Sequence, residues 1–210
     1  VIRLSVSDVD QLGYYLDHDN MSMEDLLARL RRQQPETEAM RIGTAFHKVL
    51  ETAPEEGALS QAKADGFTFR FDLDDTLSMP SVRELKTERE YLVNGERVLL
   101  VGKVDAVHPP RVDDHKFTLG QFEVEKYTEA YQWRMYLSMF ECDTFRYNVF
   151  TGYADRKVAR TLVVDKYHPI TLYRYPELEH DVLACLARYV DFCRQHLPEK
   201  FYPAPEVAAA

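Results

Sequence analysis

Apolar residues recur along this chain with two different periods, and the switch between the periods predicts its elements. The first 52 residues read as helical. Ser7 can cap a short helix to about Leu16, and Ser22 a second, with Glu24 and Asp25 in its first turn and Leu26, Leu27 and Leu30 on its apolar side. Beyond Pro35, a third helix from about Glu38 to Thr52 turns Phe46, Val49 and Leu50 toward a core. Pro54 to Gly66 is a polar connection with room for a helical turn or two from Ala58. The period then falls to two: Phe67, Phe69 and Phe71 alternate as in a strand. Asp72 to Arg83 reads as an acidic loop and Thr87 to Val93 as a strand. Asn94-Gly95 is a strong hairpin turn into a third strand, Val98 to Val107. Phe122 to Phe140 has the spacing of one long helix, with Tyr127, Tyr131, Met135 and Leu137 among its apolar positions. Thr144–Tyr153 and Lys157–Val164 look like an antiparallel pair turning at Ala154-Asp155, and Ile170–Tyr175 like a further short strand. Pro176 opens a last helix to about His196, after which Pro198, Pro203 and Pro205 end the ordered structure.

The stretch from Glu96 to Phe117 carries chemistry as well as structure. His108-Pro109-Pro110 interrupts it, because proline has no donor for a sheet ladder, and Arg111–Phe117 is long enough for a second strand beside the first. The first strand delivers Asp105 near its end. The second delivers Asp114 and Lys116 on one face, with His115 on the other. Two carboxylates and a lysine at a strand end can hold a divalent ion beside a phosphate. Charged residues at a strand end are more often a solvated polar loop, so their neighbours decide.

Length and composition narrow the classes. The 210 residues suit one domain, taken here as 1–203 with a tail at 204–210, and 45% hydrophobic content suffices for a core. No apolar run approaches a membrane span, which leads to an expectation of no membrane association and a cytoplasmic setting. Three scattered cysteines, Cys142, Cys185 and Cys193, suit a reducing compartment rather than a disulfide framework. The formal net charge is −9, which argues against a protein that coats nucleic acid nonspecifically. It leaves room for an enzyme with a local basic groove, and Arg29, Arg31, Arg32, Arg41 and Lys48 make the N-terminal third locally basic.

Taken in order, the chain offers Gly43-x-x-x-His47 on a helix and Gly102-x-x-Asp105 on a strand. Asp114-x-Lys116 follows on the next strand, and Gln132-x-x-x-Tyr136 on the helix after that. In order and spacing, this series resembles the PD-(D/E)XK nuclease superfamily, specifically its RecB-like and phage exonuclease branch, over about Arg41 to Tyr136. The resemblance implies an α/β (α+β) fold with a restriction-endonuclease-like core, a central mixed sheet flanked by helices. It implies phosphodiester hydrolysis with Mg²⁺ or Mn²⁺. It makes Lys116, Asp114 and Asp105 the catalytic set and His47, Asp105, Asp114 and the carbonyl of His115 the metal ligands. Gln132 and Tyr136 would steady the site. Glu88 or Glu90 would support it from the preceding strand, period two favouring Glu90, and Gly43 and Glu51 sit one helical turn either side of His47. Iron–sulfur members of the branch carry four cysteines around the core. With three here and no closely spaced triplet, no cluster is expected. The implied substrate is DNA, cut from its ends in recombination or DNA processing, with a recombination partner or a ring-shaped homo-oligomer as the assembly.

Two other readings compete. Phe71-Asp72-Leu73-Asp74-Asp75-Thr76 resembles the first motif of haloacid-dehalogenase-type phosphatases, with Asp72 as nucleophile and Asp74 as acid/base. That fold requires alternating strands and helices after the motif, whereas a strand, a hairpin and another strand follow here. Alternatively, the nuclease fold serves as a DNA-binding module without catalysis, a reading opposed by the intact Asp105, Asp114 and Lys116.

Overall fold

The two-residue alternation seen along Phe67–Phe71 and the strand expected at Val98–Val107 are realised in one mixed sheet. The structure is a computed structural model that describes residues 1–18, 21–55, 59–73 and 79–201. Its strands are β1 (Ile2–Ser5), β2 (Gln61–Ala64), β3 (Phe67–Phe71), β4 (Arg83–Val93), β5 (Glu96–His108), β6 (Arg111–Leu119), β7 (Thr144–Ala154) and β8 (Thr161–Tyr173). The order across the sheet is β1-β5-β6-β7-β8-β3-β2, with β4 also paired to β5. The β1–β5, β6–β7 and β3–β8 pairs are parallel, and the others antiparallel. The helices are α1 (Val6–Asp17), α2 (Met23–Leu30), α3 (Glu38–Glu51), α4 (Glu125–Thr128), α5 (Gln132–Phe140) and α6 (Leu178–His196).

Helices cover both faces. The larger core gathers Val9 and Leu12 of α1, Leu26 of α2, Met135 and Leu137 of α5 and Leu186 and Val190 of α6 against Val98, Leu100, Phe145 and Tyr147. On the opposite face α3 buries Phe46 against Phe69, Phe117 and Phe150, ring centroids 4.8 to 5.4 Å from it. A fully buried aromatic side chain contributes roughly 1.5–3 kcal/mol through removal of its apolar surface from water. This cluster therefore fixes α3, and His47 with it, against β6. Among the described residues no helix is long and apolar enough to cross a membrane.

Several boundaries differ from the sequence expectation. Ser5, not Ser7, caps α1, its Oγ accepting the Asp8 N–H at 3.2 Å. The strand ahead of that cap, β1, is four residues long with a parallel partner 96 positions away, too short to reveal a period. The polar connection before Phe67 contains β2 instead of a helical turn from residue 61 on; positions 56–58 lie outside the described residues. The expected long helix breaks into α4 and α5 because Asp10 of α1 intervenes. Its Oδ1 accepts the N–H groups of Tyr131 and Gln132, both at 2.8 Å, and so starts α5 afresh. The two strands expected between Lys157 and Tyr175 are one, β8, which carries Pro169 opposite Asn148. A register shift at Thr151/Gly152 lets β7 follow it, and Gly152 is required there: a Cβ would sit 2.0 Å from the Val163 carbonyl oxygen. The chain beyond Pro198 continues as a short 3-10 turn to Lys200, and the tail at 204–210 lies outside the described residues.

Candidate active site

The site forms where the sheet forks. Along β5, the edge away from β4 is shared by two partners: β1 pairs with Val98–Val101 and β6 with Ala106–His108. Gly102 to Asp105 fall in the gap between them. Backbone groups freed by such a gap need other partners. Tyr136 Oη of α5 donates to the Lys103 carbonyl oxygen at 2.7 Å, and the His115 N–H of β6 donates to Asp105 Oδ2 at 2.6 Å. Gly102 makes the first of these contacts possible, since a Cβ there would lie 2.6 Å from Tyr136 Cε1.

The strand also slips in phase at this point. Val104 and Val107, three residues apart, both pack into the larger core, so alternation is interrupted around Asp105. On the facing strand Glu84 has φ of +53°, a left-handed conformation uncommon for a residue with a side chain. The kink brings Glu84 alongside Asp105 and His47. One donor atom from each of the three lies within 4.8 Å of the others, the described group of acidic, histidine and cysteine side chains able to grip one ion. His47 Nδ1 stands 3.2 Å from Asp105 Oδ1. Arg83 locks this geometry by donating to the carbonyls of Leu50, Glu51 and Ala53 at the end of α3, so the start of β4 is tied to the helix that carries His47.

Asp114 and Lys116 share a face of β6, as alternation requires, and form an ion pair of 2.7 Å. Gln132 Nε2 of α5 donates to the other oxygen, Asp114 Oδ1, at 3.0 Å. Burial pushes the Asp114 carboxyl above its usual range, Lys116 opposes this, and the Asp105 charge adds to the rise. Burial acts to lower Lys116, but the Asp114 and Asp105 carboxylates outweigh it and hold the ammonium protonated. Asp105 goes the other way: burial raises it, yet the hydrogen bond and charge of His47 bring it down to about 2. Three acidic side chains thus face each other, with Lys116 and Lys103 as counter-charges and His47 beside Asp105. Lys103 pairs with Glu84.

The opposite side of β6 holds a separate polar network. Asn148 Nδ2 donates to Asp113 Oδ2 at 3.0 Å, which sets the amide orientation, and lies 3.2 Å from His115 Nδ1. An amide donor there requires that nitrogen to be unprotonated. Burial pushes the His115 imidazole down to about 4 from 6.5. Between these two values the unfolded chain binds more protons than the folded one, so stability falls as pH falls from 6.5 to about 4. The expected loss is on the order of 3 kcal/mol. Urea unfolding in EDTA across this window measures it, with His115→Gln as the reference. Parallel pH profiles for the two proteins would refute the assignment.

Of the residues singled out from sequence, His47, Asp105, Asp114, Lys116, Gln132 and Tyr136 meet at the fork. His115 takes part through its backbone N–H, its ring being turned away toward Asn148. Glu90 does not arrive: it pairs with Arg97 at 2.7 Å, and Glu88 reaches Arg3, both half-exposed. Glu90 lies six positions from Glu84, about 20 Å along the strand, and Glu84 occupies the place sought for it. Gly43 admits no close backbone, as nothing lies within 4 Å of where its Cβ would be. The Glu51 side chain is exposed, and its carbonyl receives Arg83. Asp72 follows β3, which is separated from β6 by β7 and β8, about 14 Å away across the sheet. Asp74 lies outside the described residues.

No protein-family model matches this chain, and no curated protein matches it. Solved structures do. The crystal structure of SSO0001 superposes with a TM-score of 0.52 at 14% identity, over 91% of this chain and 77% of that one. An alkaline exonuclease from Laribacter hongkongensis gives 0.38 at 13% identity, over 94% of both chains. A phage-related exonuclease from Haemophilus somnus 129PT gives 0.39 at 11% identity, over 90% of this chain and 82% of that one. At such identities likeness concerns architecture, and the two exonuclease superpositions are too loose to add to it. The chain shares with SSO0001 a mixed sheet flanked by helices, and the chemistry of its site has to come from its own residues.

Proposed function

We propose that this protein is a metal-dependent deoxyribonuclease of the PD-(D/E)XK type. The observation that carries the reading is the convergence of His47, Glu84 and Asp105 beside a buried Asp114 that is paired with a half-buried Lys116. An imidazole with several carboxylate oxygens suits Mg²⁺ or Mn²⁺, the nitrogen favouring Mn²⁺. The mutual repulsion of Asp105 and Asp114 fits the same conclusion, since a cation between them would relieve it. When bound, such an ion neutralises a phosphodiester and makes a bound water more acidic.

The residues then divide the work. His47, Glu84 and Asp105 would hold the ion, and Asp114 and the His115 carbonyl would add further oxygen donors. Lys116, protonated, faces the phosphate and the attacking water and stabilises negative charge as it develops. Gln132 holds the Asp114 carboxylate in orientation, and Tyr136 ties α5 to the fork at Lys103. A decayed, purely DNA-binding version would have no reason to retain a protonated lysine in contact with a buried carboxylate.

The reaction acts on strand ends in this reading. With a net charge of −9, the protein lacks the excess of cations that grips duplex interiors by displacing counterions. No helix-turn-helix or zinc-finger pattern is present to read base edges. We expect a linear duplex to be degraded in Mg²⁺ or Mn²⁺ while the same DNA as a covalently closed circle persists, and EDTA to stop the reaction. Equal loss of circle and linear DNA would leave a nonspecific endonuclease as the better description.

A further inference from the structure

A cavity of about 430 Å³ opens between α1 and the α4–α5 segment. Lys116 and Gln132 form the wall it shares with the proposed catalytic site, and Gln11, Tyr14, Tyr127 and Tyr147 line much of the rest. Two of these carry buried polar atoms without a hydrogen-bond partner among the described residues, Tyr147 Oη and Gln11 Oε1. Tyr147 is 1% exposed, and burial pushes its hydroxyl well above the usual range, so it stays a neutral donor. An unpaired buried polar atom costs about 1–3 kcal/mol. Two of them in one cavity mark a place where something else completes the bonding.

The lining indicates what that is. The Tyr127 and Tyr147 rings stand 5.4 Å apart and inclined, and the Tyr14 ring carries His18 stacked at 4.3 Å. Asp10, Asp17 and Glu129 sit on the wall opposite in sign to Arg29, Lys116 and Lys126, so charge does not select an anion. An aromatic, charge-balanced slot with one hydroxyl and one amide oxygen unpaired suits a planar heterocycle bearing both donors and acceptors. Its position beside Lys116 places that heterocycle next to the phosphate to be cut. We propose that the cavity receives the terminal nucleobase of the DNA strand, unstacked from its neighbour. This rests on the nuclease reading above, and adds that the enzyme recognises an end by its last base rather than by its terminal phosphate.

The test separates the two. A short single-stranded oligonucleotide carries the fluorescent base 2-aminopurine at its 5′ end, its 3′ end or its middle, and is titrated with the protein in EDTA, where no hydrolysis occurs. Quenching is expected at one end only. An otherwise identical strand whose nucleotide at that end lacks its base is expected to bind at least about thirtyfold more weakly, as the loss of two modest hydrogen bonds and a stacking contact requires. The Tyr147→Phe/Gln11→Leu protein, which keeps the rings and loses the two hydrogen bonds, should bind the base-bearing strand about tenfold more weakly and the abasic one unchanged. Quenching that is absent, or as strong in the middle as at the ends, overturns the proposal. So does equal affinity for base-bearing and abasic ends, a comparison that needs no altered protein. Absence of hydrolysis of every strand in Mn²⁺ would sink the nuclease reading, while the EDTA titration still decides what the cavity holds.

Discussion

Asp105→Asn is expected to lose DNA hydrolysis to below detection and to weaken Mn²⁺ binding by at least about a hundredfold. Asparagine is chosen over alanine because Asp105 also has a structural duty. Its Oδ2 accepts the His115 N–H at the gap between β5 and β6. Removing that acceptor would leave a buried donor unpaired, at a cost of about 1–3 kcal/mol. The amide oxygen of asparagine can still accept, so the fork survives while the negative charge goes. That charge faces His47 Nδ1 at 3.2 Å, and the hydrogen bond and charge of His47 are what bring the Asp105 carboxyl down to about 2 against the effect of burial. Isothermal titration with Mn²⁺ and a thermal melt in EDTA settle the matter together. An unchanged Mn²⁺ isotherm in a folded Asp105→Asn protein would remove Asp105 from the ion site, and the proposed chemistry with it.

Glu84 is the member of the site that sequence reading passed over, and the reason is instructive. The sequence reading ends the acidic loop at Arg83 and begins the strand at Thr87, so Glu84 falls between them, in neither element. The signal that could have found it was the hairpin. Asn94-Gly95 sets the register of β4 against β5, and counting ten residues away from the turn along each strand lands on Glu84 and Asp105. Arg83↔Ala106 and Leu85↔Val104 are paired on either side of them. What the sequence could not convey is the left-handed kink at Glu84 that turns its carboxylate inward, because a glutamate carries no local preference for that conformation.

The residues that were legible share a property. Asp114, Lys116, Gln132 and Tyr136 owe their positions to the period of one strand and one helix, and local periodicity survives packing. His47 was legible as a helical residue, but its partner was set by the aromatic cluster under α3, which joins β3, β6 and β7 through contacts distant in sequence. The break between α4 and α5 was invisible for the same reason. An aspartate of α1, more than 120 positions earlier, supplies the acceptor that restarts the helix. Gly43 misled in the other direction. A glycine inside a helix suggests close approach, yet here it faces open space one turn before His47.

Lys116→Ala is expected to lower the rate of DNA cleavage by about a thousandfold, or about 4 kcal/mol of transition-state stabilisation. The same substitution should leave Mn²⁺ affinity unchanged or increase it. The two outcomes follow from one geometry. Lys116 touches Asp114 Oδ2 at 2.7 Å and carries a full positive charge, held there by two carboxylates. Its removal deprives the phosphate of a cation at the moment charge builds up, which is a loss of rate. It also removes a cation that repels an incoming divalent ion and frees an Asp114 oxygen for that ion, which is a gain in affinity. Burying Asp114 without Lys116 favours its protonated form, so the gain should be clearest at higher pH. Lys116→Met, which keeps the stem and its packing without the charge, separates electrostatics from lost contact and should match alanine in rate. Single-turnover cleavage measures the first quantity and Mn²⁺ titration the second. Loss of metal binding together with activity in both variants would place Lys116 in support of the ion site and take it away from the phosphate.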